Sequence, residues 1–524
     1  MSRPRALLPA IFLLNAVEFL QSGMIAFGAG PIMGEIGAGP EEFSVIASLY
    51  ACVAVVAIAK QQWVIERIGW RSYLAATTLL FCLGALMCAH GDRLAPFAIG
   101  RVLMGLGGGG LMTSARLLVN FKPPGPGRFT GIKVFASGLG FGMALAPLLA
   151  ALVITSSDRS LIFYLLCVVM IVGSLLAALA VPAHVPPEVL HSQGGGGRVL
   201  LLASSTFFML YLLQRTYYDF YSDTWILIAF IALSAVGIYT FVHLQYRHHA
   251  PLLKIRELVS RRYLAGMALF ATGYVLLGAN NYMIPVFLQR GLGFSWETTG
   301  MVQGAGLAAA LLTWMVMTRL LPKSPALPKY LITGMSCLAI FAFQMTRVSP
   351  ASDVQTSVLP ALLLNGSFVI LTLATAALHT FRDMQGKDHL FAHGYQLKTM
   401  LAQIATALGT ALATLVLQWR STVQYDHIAV RIYPGSTPYM EYLQAIGTVV
   451  SGNGADANAS RVALASLGQE VARQATLLAG IEYFKAVSLL GAGIVLAMIL
   501  RVTLRWLGAW RDRAHAPLRA ASTE

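Results

Sequence analysis

The sequence predicts an all-α membrane protein that crosses the bilayer many times. Only 11% of its 524 residues are charged and 57% are hydrophobic, whereas about a quarter of the residues in soluble proteins are charged. The mean hydropathy is +0.68. Apolar runs of about 20 residues, the length a helix needs to cross the hydrocarbon core, recur along the whole chain.

The first apolar run predicts a retained transmembrane span. It has no small-residue cleavage site after a short apolar core, and another long apolar run follows it at once. Reading the rest of the chain on the same template gives roughly fourteen spans. They lie near residues 6–30, 43–61, 72–90, 94–119, 130–155, 160–182, 198–217, 224–244, 263–288, 297–320, 327–347, 357–380, 392–417 and 480–503.

Basic residues are distributed unevenly among the segments that join these spans. Arginines and lysines concentrate in alternate segments, such as 60–71, 122–128 and 247–262, whereas the opposite short loops contain acids such as Glu35 and Asp219. This positive-inside bias predicts that both termini are cytoplasmic, in a bacterial inner membrane. The net charge of +15 therefore needs no nucleic-acid partner.

A proline- and glycine-rich stretch, "AHVPPEVLHSQGGGG", divides the chain after the sixth span. We expect a six-helix half over residues 1–183, a linker with two extra central helices over 184–262, and a second six-helix half over 263–524. The last part contains a long external segment, residues 418–479. It closes with apolar residues at helical spacing, which indicates an amphipathic helix before the last span.

The stretch "RVLMGLGGGG" combines a charge with many glycines inside the fourth span. A dinucleotide-binding loop would need a preceding strand and a later acidic residue, and neither is present. Small residues at helical spacing instead allow a neighbouring helix to approach closely. Arg101 shares a helix face with Gly105 and Gly108, so we expect it to face the protein interior, because an unpaired charge in the bilayer costs at least ~2.5 kcal/mol.

Glu18 in the first span is the candidate partner of Arg101. Counted along their helices, the two residues lie about 18 Å and about 20 Å from the cytoplasmic edge of the hydrocarbon core. An intramembrane carboxylate that pairs with an arginine or takes up a proton is what an ion-coupled transporter requires. A structural clamp between the two residues, without a coupling role, is the alternative.

Several motifs resemble those of the major facilitator superfamily, specifically its fourteen-helix drug/proton antiporter group. The stretch "QQWVIERIGWRSYL" after the second span resembles the family's loop motif, and Glu66, Arg67, Gly69 and Arg71 stand at matching positions. The resemblance implies that this loop acts as a cytoplasmic gate. Glu66 and Arg67 would then help to hold the cytoplasmic side of the two halves together.

Two further motifs lie in the fourth and fifth spans. Arg101 and Gly105 match a family motif in "RVLMGLG". In "GMALAPLLAA", Gly142 and Pro147 match the antiporter motif, and Ala146 replaces a glycine. Proline bends a helix and small residues permit close helix contact. The resemblance implies a major facilitator fold, two six-helix halves plus two central helices, and proton-coupled export of a small amphipathic molecule by alternating access.

The sequence departs from the family pattern in two places, each by one helical turn. The position of the family's first-span aspartate is Ser22, and Glu18 precedes it on the same face. The arginine–glutamine pair of the thirteenth span becomes Ala402–Gln403, and Lys398 precedes it. Either the charges have moved by a turn or the coupling chemistry differs. We expect Ser22, Lys398 and Gln403 to line the substrate cavity.

Three amide side chains extend the predicted cavity. Asn280 and Asn281 lie in the middle of the ninth span, and Gln303 lies in the tenth. An amide within the bilayer costs free energy unless it is hydrogen-bonded. These residues therefore either line the substrate cavity or join neighbouring helices.

Other classes of function fit the sequence less well than transport. The sequence contains no H-E-x-x-H, G-x-S-x-G or P-loop motif, so we do not expect an enzyme. Its five cysteines lack metal-ligand spacing, and no cofactor is expected. The replaced motif glycines leave open a dedicated exporter of one metabolite or siderophore, and a transport-inactive sensor. In a host with two membranes, the resemblance also implies a periplasmic membrane-fusion adaptor and an outer-membrane channel.

Overall fold

The described part of the chain is helical and contains no strand. The computed structural model describes residues 5–123, 125–156, 158–181, 195–249, 251–384, 386–432 and 459–520, with positions 437, 439–441 and 444. The helices are α1 (Leu7–Phe27), α2 (Ala29–Ile36), α3 (Pro40–His90), α4 (Leu94–Gly108), α5 (Leu111–Leu118), α6 (Pro126–Thr155), α7 (Ser160–Ala180), α8 (Gly196–Arg247), α9 (Ile255–Leu258), α10 (Arg261–Val286), α11 (Trp296–Leu320), α12 (Leu327–Met345), α13 (Leu359–Thr380), α14 (Asp388–Ala429) and α15 (Ala459–Ala520).

The described residues contain fourteen membrane crossings. Thirteen helical segments are long and apolar enough to span a bilayer. One of these segments, Glu41–His90, contains two crossings because Gly69 interrupts it with φ 79° and ψ 163°. Glycine adopts such a positive φ at little cost, and the chain reverses direction there. The predicted number of spans is confirmed.

Helix α8 contains both predicted central spans, over Gly196–Leu213 and Thr224–Arg247. A straight helix would separate Ser205 from Gly237 by about 48 Å. The two residues are instead in contact, and Gly237 leaves no room for a Cβ beside the Ser205 hydroxyl. Helix α8 is therefore a hairpin, and its arms pack against α3 and α14.

The fourth span extends over Leu94–Phe121, and its helix is interrupted only locally at two glycines. Helix α4 ends at Gly108, a turn follows at Gly109 and Gly110, and α5 begins at Leu111. A Cβ on Gly109 would lie 2.7 Å from the Cα of Ala54 on α3. Gly109 and Gly110 keep right-handed helical φ and ψ, so the span continues through the turn, and the small size of glycine permits the close approach of α3.

Two predicted segments fall partly outside the described residues. The linker expected from residue 184 lies there up to residue 194, as does most of 433–458 in the predicted external segment. The described ends of the external segment are helical. Helix α14 has 42 residues, which is about 63 Å and twice the thickness of the hydrocarbon core. Its Arg420 donates to Glu482 of α15 at 2.7 Å (Nη2 to Oε1).

The two halves repeat the same helix contacts. The first and fifth spans cross at glycines in each half: a Cβ on Gly142 of α6 would lie 2.5 Å from the carbonyl oxygen of Ala16 on α1. Gly278 of α10 and Gly409 of α14 likewise leave no space for a Cβ against the facing backbone. Between halves, α3 packs on α14 and α11 packs on α6. The second span of each half thus contacts the fifth span of the other.

Candidate functional site

A cavity lies between the two halves, near the middle of the helices. The space in it that a water-sized molecule can reach is about 70 Å³, and the cavity is partly open to the exterior. Its polar lining brings together residues from both halves, namely Glu18, Ser22, Tyr274, Asn281, Gln303, Thr399, Gln403 and Thr406.

Glu18 is the acidic residue in the cavity wall. Its side chain is buried, and its Oε1 accepts a 2.7 Å hydrogen bond from Gln403 Nε2. Its Oε2 has no hydrogen-bond partner among the described residues. The hydrogen bond connects α1 of the first half with α14 of the second. The other carboxylate oxygen is buried and can take up a proton, whereas a donor on a ligand reaches it only if the side chain moves.

Arg101 is buried, but it does not form the predicted ion pair with Glu18 among the described residues. Its Nη1 donates to Gln21 Oε1 at 3.4 Å, and its guanidinium lies 4.1 Å from the centroid of the Tyr50 ring. The Gln21 amide in turn donates to the Tyr50 hydroxyl. An amide and an aromatic face therefore compensate the arginine's charge in place of the carboxylate.

The sequence pattern did not single out Gln21 or Tyr50. Gln21 follows Glu18 by three residues and shares its helix face, which is the signal that could have identified it. Nothing in the local pattern around Tyr50 distinguishes it from an interfacial or core aromatic residue. Its role depends on the approach of α3 to α4, which only the fold reveals.

Lys398 lies one side chain behind the cavity wall, not in it as predicted. Its side chain is buried, and its Nζ donates a 2.7 Å hydrogen bond to the hydroxyl of Tyr274, which does line the cavity. The ammonium also lies 5.0 Å and 5.1 Å from the ring centroids of Phe270 and Tyr395. Lys398 can therefore act on the cavity only through Tyr274 unless its side chain moves.

Asn280 and Asn281 have different surroundings. Asn281 lines the cavity. Asn280 is buried among helices of the second half, where its Nδ2 donates to Asn365 Oδ1 at 3.0 Å. The Tyr483 hydroxyl donates to Asn280 Oδ1 at 2.8 Å. Asn281 therefore lines the cavity, whereas Asn280 joins neighbouring helices.

This difference predicts a loss of stability for one substitution and a change in ligand binding for its neighbour. Asn280→Ala is expected to lower the free energy of unfolding by about 1–2 kcal/mol, because it leaves Asn365 and Tyr483 without their partner in the bilayer. Asn281→Ala should leave stability near that of wild type and change ligand binding instead. Thermal unfolding of the two purified variants checks this, and equal melting temperatures would contradict it.

The antiporter-motif residues bring three helices together beside the cavity. A Cβ on Gly23 of α1 would lie 2.5 Å from the Cβ of Ala146 on α6, so no larger pair of residues fits there. Pro147 stands inside α6 and lines the cavity. Its carbonyl oxygen would lie 2.7 Å from a Cβ on Gly300 of α11. Smallness at these positions is therefore a packing requirement.

The gate-motif loop joins the two crossings of α3 and turns at Gly69. Arg71 Nε donates to the Val181 carbonyl oxygen at 3.2 Å, and the Arg67 guanidinium lies 4.3 Å from the Trp63 ring centroid. Both contacts lie within the first half. The Arg71 contact ties the loop to the end of α7.

Other residues on the same side as this loop join the two halves. Arg128, at the start of α6, donates to both carboxylate oxygens of Asp388 at 3.1 Å and 2.9 Å. The Gln396 amide donates to the Ile58 carbonyl oxygen at 2.9 Å. The halves are therefore joined on the predicted cytoplasmic side in this conformation.

A cavity enclosed between two pseudo-symmetric helical halves defines the class of secondary transporters. The sequence matches the family model described as Major Facilitator Superfamily over residues 11–410. The chain therefore belongs to the major facilitator superfamily, a family of transporters and not of enzymes.

The similarity to individual relatives is distant but extends over most of the chain. "Uncharacterized MFS-type transporter YhcA" of Bacillus subtilis is 23% identical over 456 residues, 86% of this chain and 82% of that protein. "Putative multidrug resistance protein MdtD" of Salmonella typhi is 24% identical over 384 residues, 73% of this chain and 80% of that protein.

Solved structures share the fold. A POT family transporter in complex with a thioalcohol-conjugated peptide has a TM-score of 0.58 at 13% identity, and the match covers 94% of this chain and 96% of that one. The human organic anion transporter MFSD10 has a TM-score of 0.54 at 13% identity, covering 79% and 94%.

Proposed function

We propose that this protein is a proton-coupled secondary transporter that exports small amphipathic molecules across the cell membrane by alternating access. The observation that carries the proposal is the environment of Glu18. This acidic residue of the cavity lining bonds across the two halves to Gln403 and keeps its second oxygen unpartnered among the described residues. One carboxyl group can therefore take up a proton, contact a ligand and link the two halves.

The chemistry of this carboxyl group favours exchange of a proton for a substrate. An ionised carboxylate only accepts hydrogen bonds, whereas a protonated one carries an O–H donor of its own. A substrate donor and a proton therefore compete for Oε2 of Glu18. Such mutual exclusion is the condition for antiport. The site crosses the membrane in one direction with the substrate and returns with the proton.

The remaining lining supports an amphipathic substrate. Apolar side chains such as Phe19, Met143 and Leu307 alternate with the polar groups around the cavity. Mostly apolar pockets with a few placed polar groups bind small organic molecules. Efflux as the direction of transport is supported by the antiporter motif around Pro147 and by the relatives named as multidrug resistance proteins.

We place the protein in the inner membrane with both termini in the cytoplasm, and take residues 183 and 262 as the boundaries of the moving halves. The basic segments support this orientation. The length of α14 and the ion pair of Arg420 with Glu482 on α15 support a helical extension outside the membrane. A periplasmic adaptor and an outer-membrane channel are the partners that such an extension would meet.

The ion pair of Arg128 with Asp388 predicts a conformational effect. Asp388→Asn is expected to favour the conformation that is open on the cytoplasmic side, because it weakens a charge-assisted link between the halves. An exposed pair of this kind contributes about 0.2–1 kcal/mol, so the population should shift by about 1.5- to 5-fold.

Labelling of a cysteine placed at Thr399, in the cavity wall, measures this shift in a variant without native cysteines. A cysteine-specific reagent added from the cytoplasmic side should react faster when Asp388→Asn is present. The double variant Arg128→Asp with Asp388→Arg restores the pair and should return the rate to that of the parent. An unchanged labelling rate in Asp388→Asn would contradict the prediction.

Proton release from acidified inside-out vesicles tests the proposed function. The purified protein is reconstituted, and a pH-sensitive dye reports the lumen while a panel of amphipathic compounds is added. We expect some compounds to release protons only from vesicles that contain the protein. No substrate-dependent proton flux across the whole panel would overturn the proposal. A response to one tight ligand would instead identify a dedicated exporter.

A further inference from the structure

Lys398 places a basic amino group between the two halves with no carboxylate partner among the described residues. The groups around its ammonium are neutral. They are the hydroxyl of Tyr274, the sulfur of Met112 at 3.7 Å, and the rings of Phe270 and Tyr395. Aromatic faces compensate a cation in part. A buried cation within the bilayer still requires a counter-charge to be fully stabilised.

Tyr274 transmits this positive charge to the cavity. Its hydroxyl oxygen accepts the hydrogen bond from Lys398, and no described residue accepts the hydroxyl hydrogen in turn. The same side chain lines the cavity. The O–H is therefore a donor that can turn toward a ligand, and the adjacent ammonium makes it a stronger donor. A negatively charged or strongly accepting ligand group fits this position.

Glu18 provides the complementary site in the same cavity. Its carboxyl group lines the cavity, its buried Oε2 has no partner among the described residues, and its other oxygen is held by Gln403. Gln403, which bonds Glu18, follows Lys398 by five residues on α14, so the backbone positions that hold the two ends are about 7.5 Å apart along the helix axis. Arg101 does not supply the positive end, because Gln21 and Tyr50 engage it away from the cavity lining.

We infer that the cavity selects zwitterionic amphipathic molecules, with Tyr274 and Lys398 holding the anionic group and Glu18 holding the amine. This inference rests on the proposed function and names its substrate class. The negative group of a zwitterion would pair with Lys398 through Tyr274, and its positive group would pair with Glu18, so neither charge would be left unpaired. A proton on Glu18 would release the amine end while the anionic end stays bound, so exchange with a proton begins at one defined group.

The test uses amphipathic amino acids in matched pairs, each as the free acid and as its methyl ester. The ester keeps the apolar part and the amine, adds one methyl group and removes the negative charge, so binding is compared at a pH at which the amine of both compounds is protonated. Binding to purified wild-type protein is measured by isothermal titration or ligand-induced thermal stabilisation. We expect the acids to bind about 10-fold or more tightly than their esters, the effect of one charge-assisted hydrogen bond.

Three variants connect that preference to the proposed residues. Lys398→Gln and Tyr274→Phe should each remove the preference for acids, and Lys398→Arg should retain most of it. Lys133→Gln is the matched control, because it removes a lysine charge that is exposed and does not line the cavity. Tyr274→Phe keeps the ring and so separates loss of the hydroxyl from loss of packing.

Several results would overturn the inference. They are esters that bind as well as acids, a preference that survives in both Lys398→Gln and Tyr274→Phe, and a wild-type protein that binds no member of the set. The proposed function fails by a different result, the absence of proton release in vesicles. Acid-selective binding without proton flux would support the ligand class while overturning proton-coupled transport.

Discussion

Glu18→Gln is expected to abolish substrate-induced proton release from inside-out vesicles, down to the level of vesicles without the protein. Glutamine has the same shape and keeps a carbonyl oxygen that can accept the hydrogen bond from Gln403. It cannot take up or release a proton. If the proton and the substrate compete at Glu18, the variant can no longer carry a proton in exchange for the substrate.

Binding measured against pH provides the second readout for this variant. In wild type, a proton competes with the substrate at Glu18, so affinity should fall as the pH is lowered. In Glu18→Gln, affinity should no longer depend on pH. A purely structural role would lower stability in the variant without flattening the pH profile.

The matched control for this experiment is Glu297→Gln. Glu297 is exposed at the start of α11 and does not line the cavity, so its substitution removes one carboxylate without touching the site. Proton release and its pH dependence should be as in wild type. Unchanged proton release in Glu18→Gln would show that the proton site lies elsewhere and that Glu18 only positions Gln403.

The number of membrane spans could be predicted from the sequence because its cause is local. A span needs only enough consecutive apolar residues to cross the hydrocarbon core, and the sequence displays these runs directly. Breaks within the runs depend on packing. The sequence predicts the fourth span but not its local turn at Gly109 and Gly110, because an apolar run with glycines is compatible with either a regular or a locally interrupted helix.

The candidate site was harder to predict, because it depends on how each helix is rotated. Asn280 and Asn281 are adjacent, yet consecutive residues on a helix point about 100° apart, and only Asn281 lines the cavity. Glu18 and Arg101 were placed at similar depths, but Gln21 and Tyr50 engage the arginine, and this depends on the neighbouring helices.

Gly142→Leu is expected to prevent the first half from folding, which is the largest stability effect predicted for this chain. Even the Cβ of alanine would lie 2.5 Å from the carbonyl oxygen of Ala16, closer than atoms in contact allow. The obstructing atom belongs to the backbone of α1, so a side-chain rotation cannot relieve the overlap. Gly142→Ala should cost about 1–3 kcal/mol, and leucine should separate α1 from α6.

Size-exclusion chromatography and thermal unfolding in detergent measure this effect, and Gly493→Ala is the matched control. Gly493 stands inside α15, and no atom lies within 4 Å of the position that a Cβ would occupy, so alanine there should stabilise the helix by up to about 1 kcal/mol. Opposite signs for the two alanine variants would show that close helix approach, not glycine's flexibility, is what residue 142 provides. A folded, monodisperse Gly142→Leu protein would contradict this, and would mean that α1 and α6 can separate without loss of the fold.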